Sequence, residues 1–325
     1  MNLPKDVLVT GATGFLGTSL VDHLSSNPGV KVKALVRRNG VDFSDSVTQV
    51  LVPGDDTFSV ELPLQRVQVV IHLAARAHII KDTCSEPLSQ FRLVNVEGTL
   101  KLAQQALAAG VKRFIFISSI GVNGSYTSSD DAFTESSMPK PHADYAISKF
   151  EAEQALRKLV AGTSMELVVI RPPLVYAGNA PGNFHRLLML IATGVPLPFG
   201  LVRNRRSMVS LENLIDFITL CVDHPAAANE LFLISDNVEI STPEMVRYLS
   251  EGMGMKARLL PVSSTLIRWL ASMVGKQGMY TQLFGSLRID SSKACKQLGW
   301  HPPLAPAEAL VKAGRDFKVL QALRG

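Results

Sequence analysis

Six short, almost wholly apolar runs punctuate the first half of the chain, at 7–10, 32–36, 47–52, 69–73, 114–118 and 167–171. Between them lie longer stretches whose apolar residues recur at helical spacing, at 15–25, 91–109 and 145–160. Strands that are apolar on both faces belong inside a parallel sheet covered by helices on both sides. With right-handed crossovers, this alternation predicts a doubly wound α/β sheet. Such sheets bind ligands beyond the carboxyl ends of their strands, so the tips of these runs are the places to look for chemistry. After residue 172 the texture changes. Pro172, Pro173, Gly178, Pro181, Gly182, Gly194, Pro196, Pro198 and Gly200 interrupt the periodicity. Loops and short helices are expected there, as a smaller mixed α/β lobe at the carboxyl-terminal side. The apolar run 231–234 predicts one more strand after the break. The expected division is therefore interleaved: a sheet unit of 1–172 joined by 207–235, and a lobe drawn mainly from 173–325.

The first strand runs into Thr10-Gly11-Ala12-Thr13-Gly14-Phe15-Leu16-Gly17 and then into a helix. Glycines at 11, 14 and 17 permit a tight turn, close approach of a ligand to the backbone, and close packing of helix on strand. The helix start aims free N–H groups and roughly half a positive charge at that ligand, an arrangement suited to a diphosphate.

Composition narrows the class. At 325 residues with 46% hydrophobic and 19% charged content, the chain is a folded globular protein. Cys84, Cys221 and Cys295 are few and far apart. They suit a reducing compartment and give no metal-ligand or disulfide spacing. The first strand begins by Val7, which leaves no room for a secretory signal. No apolar run reaches the ~18 residues of a membrane span, so the expected location is the cytoplasm. The net charge of +5 is uneven: residues 1–255 carry −3 and residues 256–325 carry +8. That excess suits an anionic substrate met by the C-terminal region as well as it suits a solvated face. The 266–274 stretch, with Arg268, Trp269 and then Lys276, reads as a basic amphipathic helix packed on the lobe, with a membrane contact as the lesser alternative.

Tyr145 and Lys149 open a predicted helix and share one face of it at i and i+4. An ammonium there favours the phenolate and brings the tyrosine pKa down toward neutrality, which makes a general acid/base. Ser118 and Ser119 follow the strand at 114–118, where a hydroxyl can hold a substrate oxygen.

The glycine turn, Ser119 and Tyr145/Lys149 together resemble the extended short-chain dehydrogenase/reductase family, in its nucleotide-sugar 4-epimerase and 4-keto reductase branch. His72-Leu73-Ala74-Ala75, Asn95-Val96-Glu97-Gly98-Thr99, Arg171-Pro172-Pro173-Leu174-Val175-Tyr176 and Leu298-Gly299-Trp300-His301-Pro302 extend the resemblance along the whole chain. It implies a Rossmann sheet and a catalytic trio of Ser119, Tyr145 and Lys149. It implies dinucleotide contacts at Gly11, Thr13, Gly14, Phe15, Leu16, Gly17, Leu73, Ala74, Ala75, Asn95, Lys149 and Pro172, with Asp55 near the adenine. Substrate contacts are expected at Ser119, Asn183 and Arg206, with Arg288 a further candidate; Arg76 and His78, which follow the fourth strand, are further candidates for the substrate side. No metal or nucleic acid is expected, and a homodimer is.

The second strand ends Arg37-Arg38 with no acid before Asp42, so two guanidiniums stand where an adenosine 2′-phosphate would lie. NADP(H) is therefore favoured over NAD(H). Where dehydratases of the family carry Asp-Glu after the catalytic hydroxyl, this chain has Ile120-Gly121, neither of which moves a proton. Val122-Asn123-Gly124 and Tyr176-Ala177-Gly178 depart from the family's Val-Tyr-Gly and Tyr-Gly and are expected on the substrate side. The expected reaction is NADPH-dependent reduction of a UDP-4-keto-6-deoxyhexosamine for surface polysaccharide. The alternatives are a UDP-hexose or UDP-N-acetylhexosamine 4-epimerase, with a polyprenyl-diphosphate sugar as a variant substrate, or a silent NADP-binding regulator.

Overall fold

The structure, a computed structural model, describes residues 4–38, 40–52, 54, 58–77, 86–128, 131–263 and 284–323. Asp55, His78, Cys84 and the 266–274 stretch fall outside the described residues.

Strand β1 (Lys5–Thr10) lies inside the sheet, flanked by β2 (Val30–Val36) and β4 (Val67–His72). Outward from β2 comes the short β3 (Thr48–Leu51), and outward from β4 come β5 (Arg113–Ile117), β6 (Glu166–Arg171) and β9 (Leu231–Leu233). Every pairing in this seven-stranded sheet is parallel, and its order is 3-2-1-4-5-6-9. The order reverses between β1 and β4, which opens a crevice at their carboxyl ends. All five residues of β5 are buried, as expected of a strand covered on both faces. The run at 231–234 does return to the sheet, as β9 beside β6.

Helix α1 spans Phe15–Ser25, the residues the periodicity indicates, and buries Gly17, Leu20, Val21 and Leu24. The stretch 91–109, expected as one helix, is instead three pieces. These are α2 (Pro87–Arg92), a π-helical turn Leu93–Gly98, and α3 (Thr99–Ala108). Pro87 at the helix start sets the earlier beginning. The wide π turn carries Asn95, whose side chain bonds the main chain of Arg76, and wide turns of this kind concentrate at functional sites. Helix α4 (Asp144–Val160) packs against this turn and β6.

The rest of the chain adds the small parallel pair β7 (Leu174–Tyr176) and β8 (Met208–Ser210), with α5 (Gly182–Ala192), α6 (Leu211–Asp223), α7 (Thr242–Gly252), α8 (Ser292–Leu298) and α9 (Pro306–Ala322). Helix α6 covers the sheet, with Phe217 against Phe232 and Trp300. Helices α5, α7 and α9 share a second core, in which Phe184, Leu188, Leu249, Leu310 and Phe317 meet. Among the described residues, no helix is long and apolar enough to cross a membrane.

Candidate active site

The glycine turn closes tightly because its residues have no room for side chains. Gly11 has φ +68, a conformation that disfavours any Cβ, and an added Cβ would stand 2.7 Å from the amide nitrogen of Ala74. A Cβ on Gly17 would stand 2.1 Å from the Gly11 carbonyl oxygen. Gly14 is the residue before helix α1, which has no side-chain cap and no acid in its first turn. Its first-turn N–H groups thus suit an anionic ligand. Gly11, Thr13 and Gly14 line a cleft of about 740 Å³ together with Leu73, Ala74, Ala75 and Arg76. Arg37 lines the same cleft from the end of β2, and exposed Arg38 follows it. The side chains of Phe15 and Leu16 pack toward the core, so these two offer the cleft their main chain.

His72 ends β4 below the cleft. Its Nδ1 lies 2.7 Å from Thr10 Oγ1 and its Nε2 2.8 Å from Thr99 Oγ1. Full burial, with the Lys149 charge nearby, pulls its pKa down to about 3, so the ring is neutral and structural. Asn95 is buried in the π turn. Its Oδ1 accepts from the Arg76 amide at 2.7 Å, and its Nδ2 donates to the Arg76 carbonyl at 3.1 Å and to Ser148 Oγ at 3.0 Å. Asn95 thereby ties the cleft wall to α4.

Helix α4 carries Tyr145 and Lys149 on its inner face. Lys149 is 2% exposed, with Nζ 4.3 Å from the Phe116 ring centroid and 6.0 Å from that of Tyr145. Burial brings the ammonium down to about 7, against the opposing pull of Glu153. The expectation that Lys149 lowers the Tyr145 pKa does not describe this state. Burial of the phenol dominates and pushes it up to about 12. The pair is thus a protonated phenol beside an ammonium that is near its own midpoint at neutrality.

Ser119 follows β5 and caps a short 3-10 turn, Ile120–Val122, by accepting the Gly121 amide at 3.1 Å. The turn is held from below by the Pro172 carbonyl, which accepts from the Ile120 amide at 3.0 Å. It lies against the start of α4: a Cβ on Gly121 would be 3.2 Å from Ala146 Cβ and 3.3 Å from Ser119 Oγ. Ile120 is buried against Leu233, Leu287 and Ile289. The neighbouring Ser118 does not face the cleft, for its hydroxyl donates to Glu153 Oε1 at 2.5 Å. One departure from the family pattern, Asn123, turns inward, as does Tyr176, which precedes the other at Ala177. Asn123 is buried and accepts from Arg171 Nη1 at 2.9 Å, and Tyr176 donates to Asp236 Oδ2 at 2.7 Å.

On the lobe, Arg206 and Arg288 lie on extended segments bridged at Arg206 and Leu287. Arg206 Nη1 donates to the Gly285 carbonyl at 2.9 Å, and burial lowers its pKa. Arg288 Nε donates to Glu239 Oε1 at 2.5 Å, and Arg205 pairs with the same carboxylate at 3.5 Å. Asn183, in the first turn of α5, accepts from Arg186 at 3.2 Å. Glu153 and Arg171, bonded beneath the Ser119 turn, were not among the expected site residues. Their signals in the sequence are a glutamate four residues beyond Lys149 on its helix and an arginine at the head of the 171–176 stretch that carries the family resemblance.

Comparison with known proteins agrees with this geometry. The NAD dependent epimerase/dehydratase family matches residues 7–235. A UDP-glucose 4-epimerase of Vibrio cholerae is 42% identical over 316 residues, covering 97% of this chain and 96% of its own. An N-acetyl-α-D-glucosaminyl-diphospho-ditrans,octacis-undecaprenol 4-epimerase of Escherichia coli O157:H7 is 30% identical over 77% of this chain and 73% of its own. The fold matches that of a UDP-glucuronic acid 4-epimerase from Bacillus cereus solved with NAD, at a TM-score of 0.76, 21% identity and 96% coverage of both chains. With the family's match spanning most of its length and a relative aligned almost end to end, the chain belongs to the NAD dependent epimerase/dehydratase family of enzymes.

Proposed function

We propose that this enzyme exchanges hydrogen at C4 of a nucleotide-activated sugar, and that its reaction is NADPH-dependent reduction of a UDP-4-keto-6-deoxyhexosamine. The observation that carries the chemistry is half-buried Tyr145 and buried Lys149 on one face of α4, with the Ser119 turn packed on the start of that helix. In this reading the dinucleotide lies along the cleft. Its diphosphate rests on Gly11, Thr13, Gly14 and the amides of Phe15 and Leu16, with Gly17 letting α1 approach. Leu73, Ala74, Ala75 and Pro172 border its remainder, and Asn95 shapes that wall through Arg76. Arg37 and Arg38 take an adenosine 2′-phosphate, which is what favours NADP(H) over NAD(H).

When bound, the nicotinamide supplies the hydride. Tyr145, held protonated by burial, donates its phenolic proton to the C4 oxygen as that oxygen gains charge. Lys149 faces the same ring, where its ammonium stabilises the phenolate left behind. Ser119 uses its oxygen to cap the turn, so its hydroxyl proton is the end that holds the C4 oxygen. Ile120 and Gly121 offer no group for removing water, which fits reduction without dehydration. Arg206, Arg288, Arg76 and Asn183 are the proposed contacts for the UDP and sugar.

The Vibrio cholerae relative favours a second reading, a UDP-hexose or UDP-N-acetylhexosamine 4-epimerase. The Escherichia coli relative extends that reading to a polyprenyl-diphosphate sugar. There the same Tyr145 removes and returns the proton. The purified protein with UDP-4-keto sugar and NADPH, followed at the NADPH absorbance, decides between them. Stoichiometric NADPH loss supports the reductase. Interconversion of UDP-hexoses with no added cofactor supports the epimerase. Neither activity across several nucleotide sugars overturns the redox reading.

A further inference from the structure

Beneath the site lies a closed polar cluster. Glu153 and Arg171 are both almost fully buried and joined by two bonds, Nε to Oε1 at 2.9 Å and Nη2 to Oε2 at 2.5 Å. Glu153 also accepts from Ser118, the residue before Ser119. Arg171 also donates to Asn123, the residue after the 3-10 turn. The turn that presents Ser119 is therefore gripped on both sides by one ion pair. Glu153 stands on α4 one helical turn beyond Lys149, on the same face. Desolvating two charges offsets most of their mutual attraction, so a gain in stability does not account for a pair placed here.

We propose that Glu153 is a positioning residue for the reaction: it clamps the Ser119 turn to the Tyr145/Lys149 helix and supplies the counter-charge for the Lys149 ammonium. The inference rests on the acid/base reading of Tyr145 and Lys149. The groups around the ammonium leave Glu153 as its one negative partner among the described residues. On α4 the others are Tyr145, protonated, and Ser148; from β4 comes neutral His72, from β5 the Phe116 ring, and from β6 Arg171, already bonded to Glu153. Burial draws Lys149 down toward neutrality, and Glu153 opposes that pull.

The test is Glu153→Gln, which keeps the shape and the acceptor for Ser118 but removes the charge. Activity that needs the ammonium falls as pH rises through the Lys149 midpoint, so the alkaline limb of kcat/KM reports on it. The limb is expected to move to lower pH by about one unit in Glu153→Gln. Ser118→Ala, which loosens the turn without touching charge, is expected to lower kcat and leave the limb in place. If Glu153→Gln does not fold, Glu153→Gln with Arg171→Gln removes both halves of the Glu153–Arg171 pair, so that neither is left buried without the other, and the Lys149 midpoint is read in the same way. Side-chain NMR of isotope-labelled lysine in the cofactor-free protein, assigned with Lys149→Arg, follows the Lys149 midpoint without any turnover. It should drop in the glutamine variant. An unmoved limb and an unmoved Lys149 titration overturn the proposal whatever happens to kcat. Wild-type protein inactive on every nucleotide sugar would sink the functional reading, while the NMR titration still decides the role of Glu153.

Discussion

Alanine at Gly17 and alanine at Gly14 should fail differently, and the difference tests how the glycine turn works. A Cβ at position 17 would fall 2.1 Å from the Gly11 oxygen and 2.8 Å from Cα and C of Ala12, all main-chain atoms. No side chain can swing aside, so the start of α1 must withdraw from the turn by about an ångström to restore ordinary contact. Overpacking of this kind costs about 1–3 kcal/mol. If the strain falls on the loop, the same energy weakens dinucleotide binding by roughly 5–150-fold. At position 14 the new Cβ would lie 3.2 Å from the Gly11 oxygen, which a shift of a few tenths of an ångström relieves, but it borders the cleft. Calorimetric melting without ligand, together with titration by NADP and NAD, separates the two. Gly17→Ala should lose a few degrees of Tm and bind weakly. Gly14→Ala should melt like the parent and bind weakly. If Gly17→Ala keeps both the parent Tm and the parent Kd, the packing argument for this turn is wrong.

Other outcomes follow from the same geometry. The unfolded chain protonates His72 below its ordinary 6.5 and the native chain holds off until about 3, so stability falls as pH drops through that window. The loss from this group is about 2 kcal/mol between pH 7 and pH 5, read by urea unfolding, and His72→Gln should remove it. Replacing Arg37 and Arg38 together by alanine should cut the preference for NADPH over NADH by about tenfold or more, measured as a ratio of Kd values, because two charge-assisted contacts to the 2′-phosphate disappear. Arg206→Gln should raise KM for the UDP-sugar severalfold and leave the dinucleotide Kd unchanged; an effect on both would place Arg206 in the fold alone.

What could be read from residues was whatever periodicity and local chemistry encode. Helix α1 spans the residues its spacing indicates, the wholly apolar strands announced a parallel sheet, and Tyr145/Lys149 announced a helix face. Long-range partners were not legible. The break of 91–109 at the π turn depends on Asn95 reaching Arg76 across the cleft wall. The direction of the Tyr145 shift depends on burial, which a two-residue motif does not report, so the ammonium visible in sequence was outweighed by desolvation visible only in space. Glu153 and Arg171 come from different elements, and only the fold makes them a pair beneath Ser119. Asn123 was expected on the substrate side from its place in the family pattern; its buried side chain accepts from Arg171.

The most direct test of the account is single-turnover hydride transfer in Tyr145→Phe, with the substrate and cofactor that the wild-type protein turns over. Loss of the phenolic proton should slow transfer by about 10²–10⁴-fold while the dinucleotide Kd stays within about threefold of the parent. Transfer at the parental rate in that variant would contradict the assignment of Tyr145 as the proton donor at C4.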